Sequence, residues 1–517
     1  MNPRTTPKNE RDLSSQAAPP RGLTWGVFAI LFFSFAFFWH SRDWNTASRL
    51  MLTYALGDRG TISLDGLNVH TNDLAKFQGH YYSDKQPGFS FLGLGPYLAA
   101  KSVLWLPPHP VDAPRAMTHW PADYWVTLLT SSLVTAWCGV LLVTAAYSLG
   151  CGPRRAALVG LAYGLSTHAS VYATLAYGHQ TAATFLLAAT LLVALVNTNW
   201  RWAALGAGFF ASFASTVELS VAPVSALVAL LCLVRVAMRK WPSRALVLFT
   251  LGAAGPLMFL LAYNQFAFGS PFDMGYAHHV VERFRAVHGQ GNAFGLTAPR
   301  WDRAAPLLFS EYRGLFVYAP IVILAPLGWV LGRWTGFNLL RFASISACVA
   351  VFLVNLSYPE WTGGWCTGPR LLVPLLPSAM LGVAALLAGE LSQIRRCLVA
   401  AAGLLALAGF CVNLACQGID ARIPDALGPE PVDRPLSQVV APLWTGQELP
   451  PWREGQRFGR NLVNLAAPWV NDNSRLAPDR HWAQFIPLLL FQAVGVGALF
   501  LWPWSNKCGR GPSSESA

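Results

Sequence analysis

Apolar residues along this chain gather into long blocks, and polar residues gather between them. Short alternations of the kind that build half-buried strands are not the dominant pattern. The blocks lie at approximately 23–40, 124–148, 156–173, 181–197, 202–217, 219–235, 245–263, 315–332, 342–357, 371–389, 397–415 and 484–503. Each is long enough, or nearly so, for a helix to cross a bilayer. The pattern predicts an all-α polytopic membrane protein of about 12 transmembrane helices. Residues 43–57 have a helical period outside these blocks, with Trp44, Ala47, Leu50, Met51 and Tyr54 on one side, and "GDRG" stops that helix. "FSFLGLGPYLAAKSVLW" (89–105) reads as a helix lying on the membrane surface rather than as a span.

Composition agrees. The 517 residues are 54% hydrophobic and 12% charged, with mean hydropathy +0.38. Soluble domains carry about twice that charged fraction. The net charge of +12 does not point to nucleic acid, because no basic stripe interleaves with aromatics and the basic residues sit at the ends of apolar blocks. The cysteines are scattered, without CxxC or a Cys/His cluster, so neither a zinc site nor a disulfide framework is predicted.

Charge also predicts orientation. With the N-terminus in the cytoplasm, the inside segments collect Arg154 and Arg155, the run "RVAMRKWPSR" (235–244), and Arg395 with Arg396, but only four acids, Glu10, Asp12, Glu390 and Glu515. Nearly all other acids fall outside. The expected organisation is a cytoplasmic tail (1–22), a membrane domain (23–415) with outer loops 41–123 and 264–314, an extracytoplasmic proline-rich segment (416–483), a last span (484–503) and a second cytoplasmic tail (504–517). Chemistry is expected on the extracytoplasmic face of the cytoplasmic (inner) membrane.

The first outer loop carries Asp43, Asp58, Asp65, Asp73 and Asp84 before the surface helix. Asp43 stands about one turn past the membrane exit, where partial desolvation suits a carboxylate to general-base work. Further on, "HYYSDKQPG" (80–88) places Asp84 and Lys85 before a Pro-Gly break. This order resembles the GT-C glycosyltransferases: an Asp after the first span, a juxtamembrane helix, a Gly-Asp turn, then acid-Lys-x-Pro before a surface helix. Among them it is most similar to the bacterial relatives of protein O-mannosyltransferases (glycosyltransferase family 39) and the lipid A aminoarabinose transferases. Asp43 matches the first acid of their Asp-Glu pair, with Trp44 in place of the second. Asp84, Lys85 and Pro87 match their Glu-Lys-Pro-Pro run, with Gln86 in place of the first Pro. The resemblance implies transfer of a sugar from a polyprenyl-phosphate carrier to a glycan, lipid or protein acceptor. Asp43 would be the base, with Asp73 and Asp65 as alternatives, and Lys85, Arg370 and Arg49 would be donor-phosphate ligands. Asp84, Tyr82, Glu218, His179 and Arg313 would support them. No cofactor is called for, and a divalent metal stays open.

The other outer segments add candidates. "WTGGWCTGPR" (361–370) ends on Arg370 after a Gly-rich turn, a plausible anion site. Glu218, in "STVELS", is an acid between two apolar blocks and so a functional candidate. His278 and His279 are a pair without a defined third metal ligand. Cys366 and Cys416 are both placed at the outer side, where a disulfide is possible. Two other readings remain open at this point: a transporter or flippase of a lipid-linked or anionic solute, and a polysaccharide polymerase or ligase.

Overall fold

The computed structural model describes residues 18–504 apart from 41, 112–119, 290–294, 421, 446, 448 and 450–483. Most of the proline-rich segment and most of both expected tails lie outside the described residues.

All twelve apolar blocks fall on helices. They are α1 (Arg21–Ala36), α4 (Pro121–Ser148), α5 (Pro153–Ser166), α6 (Gly178–Leu195), α7 (Trp200–Val217), α8 (Leu219–Ala237), α9 (Arg244–Phe268), α10 (Pro320–Leu331), α11 (Asn338–Ser357), α12 (Arg370–Leu387), α13 (Gln393–Ile419) and α14 (Ile486–Leu501). Between α1 and α4 lie α2 (Trp44–Arg59), a two-stranded antiparallel hairpin of β1 (Leu74–Phe77) and β2 (His80–Ser83), and α3 (Gly88–Val103). Seven of the helices are long and apolar enough to cross a membrane. α1, α10 and α14 are apolar but shorter.

The helices sort by environment. α6 and α12 are enclosed on nearly all sides, whereas α9 and α13 turn most of their surface outward. Lipid tails offer no hydrophobic drive for helices to associate, so close packing must come from small residues. α7 and α9 illustrate this: a Cβ on Gly208 would lie 2.0 Å from the Phe249 carbonyl oxygen, and one on Gly252 would lie 2.0 Å from that of Leu205. α13 inserts Ala402, Ala406, Gly409 and Asn413, one helical face. The Asn413 amide donates to the Tyr318 carbonyl at 2.7 Å.

The two ends of the bundle differ. At one end Arg155 donates to the Leu387 carbonyl, Gly389 N–H to Gly150 at 3.0 Å and Arg333 N–H to Ala385 at 2.9 Å. That end gathers the arginines expected on the inside. The other end carries α2, the hairpin, α3 and the breaks between α7 and α8 and before α12. Cys366 and Cys416 are both free thiols, so the possible disulfide is not formed. Cys366 Sγ instead donates to the Thr362 and Gly368 carbonyls.

Candidate functional site

α2 begins at Asp43 through a capping box. Asp43 Oδ1 accepts the Thr46 backbone N–H at 2.6 Å, and Thr46 Oγ1 accepts the Asp43 N–H at 2.8 Å. Gly60, at φ 64°, closes the helix in the left-handed conformation. The other carboxylate oxygen of Asp43 accepts the hydroxyl of Tyr177. Tyr177 is buried just before α6, and the Arg370 guanidinium lies over its ring at 5.3 Å. The expected base therefore sits at a helix start, tied to a tyrosine that touches an expected phosphate ligand.

Farther along α2, Arg49 is 2% exposed and pairs with Glu218 at 3.0 Å. Its Nε donates to Asn45 Oδ1 at 3.2 Å, and its guanidinium lies over Phe89 at 5.7 Å. His179 Nδ1 lies 3.5 Å from the same Glu218 oxygen. Glu218 occupies the break between α7 and α8 and is buried rather than carried to the surface. Its carboxylate feels His179, Arg49, Arg370 and Lys85, so these groups share one electrostatic neighbourhood. Space there is tight. A Cβ on Gly178 would stand 2.7 Å from the Val217 carbonyl oxygen and 2.9 Å from a Glu218 carboxylate oxygen.

The hairpin supplies the next part. Ser48 on α2 bonds Ser83 Oγ at 2.8 Å and Asp84 Oδ1 at 3.2 Å. Lys85 Nζ then sits between Asp84 at 2.7 Å and Asp73 at 2.8 Å. Burial works against the ammonium, but the two carboxylates outweigh it and hold Lys85 above its ordinary range. His279 completes the cluster, with Nε2 3.6 Å from Asp84 and 4.0 Å from Asp73. Burial pulls His279 below its ordinary value.

Asp73, Asp84 and His279 bring ligand atoms within 4.8 Å of one another and could hold a metal ion. As arranged, the centre is taken by the Lys85 ammonium. His279 Nδ1 also accepts the Val281 N–H at 2.9 Å, which leaves the proton on Nε2, the atom facing the carboxylates. A divalent ion would require Lys85 to leave and His279 to change tautomer, turning an N–H onto the Val281 N–H. In this arrangement the cluster fits one ammonium.

Arg370 opens α12 and is in no ion pair among the described residues. Its Nε is buried without a hydrogen-bond partner. The loop before it is held by Arg313, which is 0% exposed. Arg313 donates to the carbonyls of Thr362 (2.7 Å), Gly364 (2.8 Å), Cys366 (3.1 Å) and Tyr312 (3.0 Å). It also pairs with Asp425 at 3.2 Å. Arg313 thus shapes the backbone leading to Arg370. From the end of α13, Arg422 grips Asp420 with two bonds of 2.7 Å and bears electrostatically on Asp43 and Tyr177.

Of the expected residues, Asp43, Arg49, Lys85, Asp84, Glu218, His179 and Arg370 gather at this end of the bundle, and Asp73 joins them through Lys85. Asp65 does not. It accepts the Tyr81 N–H at 2.9 Å and pairs with His80 at 2.6 Å, committed to the hairpin. Tyr82 packs its ring against Phe268 at 5.6 Å. Tyr177 and the Asp420–Arg422 pair were not singled out from the sequence. Tyr177 sits in "LAYGHQ", beside His179, but nothing in that string signals a partner 134 positions away.

No family model matches the chain, and no curated protein matches it. Solved structures do. ArnT from Cupriavidus metallidurans bound to undecaprenyl phosphate is similar at 14% identity and TM-score 0.44, covering 77% of this chain and 63% of that one. The archaeal oligosaccharyltransferase AglB from Archaeoglobus fulgidus, in complex with an inhibitory peptide and a dolichol-phosphate, is similar at 11% identity and TM-score 0.39, covering 76% of this chain and 55% of that one. The chain thus spans less than two thirds of the length of either.

Proposed function

We propose that this protein is a membrane glycosyltransferase that moves a sugar from a polyprenyl-phosphate donor to a hydroxyl acceptor on the extracytoplasmic face of the inner membrane. The observation that carries the reading is the pairing of Asp43 with Arg370 through Tyr177. A carboxylate able to take a proton stands beside a guanidinium that has no carboxylate of its own among the described residues. An anionic phosphate is the natural complement of such a group, because Arg presents a fork of donors matched to phosphate oxygens.

In the reaction, the acceptor oxygen attacks the anomeric carbon and its proton passes to Asp43. The bond from that carbon to the phosphate oxygen breaks, and its electron pair stays on the lipid phosphate. Arg370 stabilises the charge gathering there. Lys85 faces the site from the hairpin side, its charge balanced by Asp73 and Asp84. Arg49, neutralised by Glu218, serves mainly to fix α2 against the α7–α8 break. A transporter would place its charged groups near mid-membrane between similar halves; here they collect at one end of the bundle, which weighs against that reading.

The test is sugar transfer by the full-length protein in lipid nanodiscs, using polyprenyl-phosphate sugars of several kinds. Asp43→Asn is expected to lower turnover by about 10²- to 10⁴-fold, the range for a general base, while polyprenyl phosphate still binds. Full activity in that variant would remove Asp43 from the role. Failure of every polyprenyl-phosphate sugar to react or bind would remove the donor class.

A further inference from the structure

The hairpin has two faces, and the lysine cluster uses only one. In an antiparallel pair, directly opposed residues share a face and successive residues alternate. The register opposes Leu74 to Ser83 and Lys76 to Tyr81. Extended by one position, it opposes Asp73 to Asp84, on the face shared with Ala75, which bridges to His279. Lys76 and Tyr81 therefore project away from the Lys85 cluster. On their side a cavity of about 490 Å³ lies between the hairpin and the 277–285 segment, within the range of small-molecule sites.

Its lining includes Asn68, Asn72, Lys76, Tyr81, His278 and Arg285, and none of its lining residues is a carboxylate. Lys76 lies over the Tyr81 ring at 5.1 Å. Two acids bond to lining residues and each is paired: Asp273 with His278 at 2.8 Å, and Asp65, which accepts the Tyr81 N–H, with His80 at 2.6 Å. Neither Lys76 nor Arg285 is in an ion pair among the described residues. Two cations, two side-chain amides and an aromatic face are the groups that recognise a charged sugar: amides and hydroxyls pair with ring hydroxyls, the ring covers an apolar sugar face, and the cations take the acid.

We propose that this cavity is a binding subsite for an acidic sugar, one bearing a carboxylate or a phosphate, separate from the Arg370–Lys85 centre. Its role as a hold on the acceptor, at a distance from the reacting hydroxyl, rests on the transferase reading; the binding itself does not. One hairpin of backbone separates the two, so an extended acceptor could occupy both.

The experiment is equilibrium binding to full-length protein in nanodiscs. The probes are trigalacturonate, glucose 6-phosphate and the neutral trisaccharide maltotriose, each measured with and without saturating undecaprenyl phosphate. Saturable binding of either acidic probe, at least 10-fold tighter than maltotriose and unchanged by undecaprenyl phosphate, is expected. Lys76→Gln with Arg285→Gln should weaken it at least 10-fold, with the melting temperature unchanged since both side chains are exposed. Asp43→Asn should bind as the parent does, whatever its transfer activity. Equal binding of maltotriose, competition by undecaprenyl phosphate, no binding of either acidic probe, or undiminished binding in the double variant would each overturn the proposal.

Discussion

At the scale of single residues, the site is held by charges that are paired before any ligand arrives. Arg49 and Glu218 are the deepest such pair. Removing one member of a buried pair strands the other, which typically costs about 3–5 kcal/mol. Glu218→Ala is therefore expected to lower the thermal midpoint in detergent markedly, and an unchanged midpoint would show that the pair does not hold α2 in place. Asp420 has its own pH signature. Burial alone would raise its pKa, but Arg422 overcomes this and holds the carboxyl below its ordinary 3.8. A depressed acid stabilises the fold fully above its unfolded value and loses that contribution as pH falls through the folded one. The gap in melting temperature between the parent and Asp420→Asn should thus be constant above about pH 5 and shrink as pH falls below 3.8. A gap already closing above pH 5 would contradict the depressed carboxyl.

At the scale of elements, the loop before α12 depends on one guanidinium. Arg313 satisfies four backbone carbonyls from a fully buried position, a task that the three donors of a lysine cannot reproduce. Arg313→Lys is expected to raise KM for the polyprenyl-phosphate donor about 10-fold or more, with a smaller effect on kcat, because Arg370 is displaced rather than removed. The same change should open the loop around Cys366. In a background lacking the exposed Cys397 and Cys411, a membrane-permeant maleimide should label Cys366 faster in the variant than in the parent; equal rates would argue against the clamp. This role lay beyond the sequence. Arg313 was legible only as a supporting candidate, since three of its four carbonyl partners lie some fifty positions away and a carbonyl carries no sequence signature. α2 and α3 were legible because their signals are local: an Asp cap and a Gly stop in one, a Pro-Gly break before an apolar run in the other. The bonds that tie Asp65 to the hairpin were not legible, since counting acids in a loop does not reveal which neighbouring N–H each one accepts.

At the scale of the molecule, the apolar blocks located the twelve long apolar helices, because each block must satisfy its own backbone in lipid, but not the short helices of the outer segments such as Glu282–Gly289 and Ala304–Phe309. They could not say which helices are central, since enclosed and lipid-facing helices are both apolar. The arginines shared between the α4–α5 turn and the end of α12 fit a cytoplasmic face, and the hairpin end fits the opposite one. Arg283→Cys, on the hairpin side and well exposed, should react with an impermeant maleimide on whole cells. Arg396→Cys should react only after permeabilisation. The reverse pattern would invert the orientation and move the proposed reaction to the cytoplasmic side.

One feature of α2 bears on turnover. Asp43 is both the cap of a helix and the proposed resting place of a proton. Its anionic form serves the helix N-terminus, where a cap contributes on the order of 1 kcal/mol and negative charge is favoured. Each proton it receives from an acceptor weakens that cap and leaves the Thr46 N–H less well served. Turnover and the start of α2 thus meet at one carboxylate, so a change that moves the cap moves the proposed base with it.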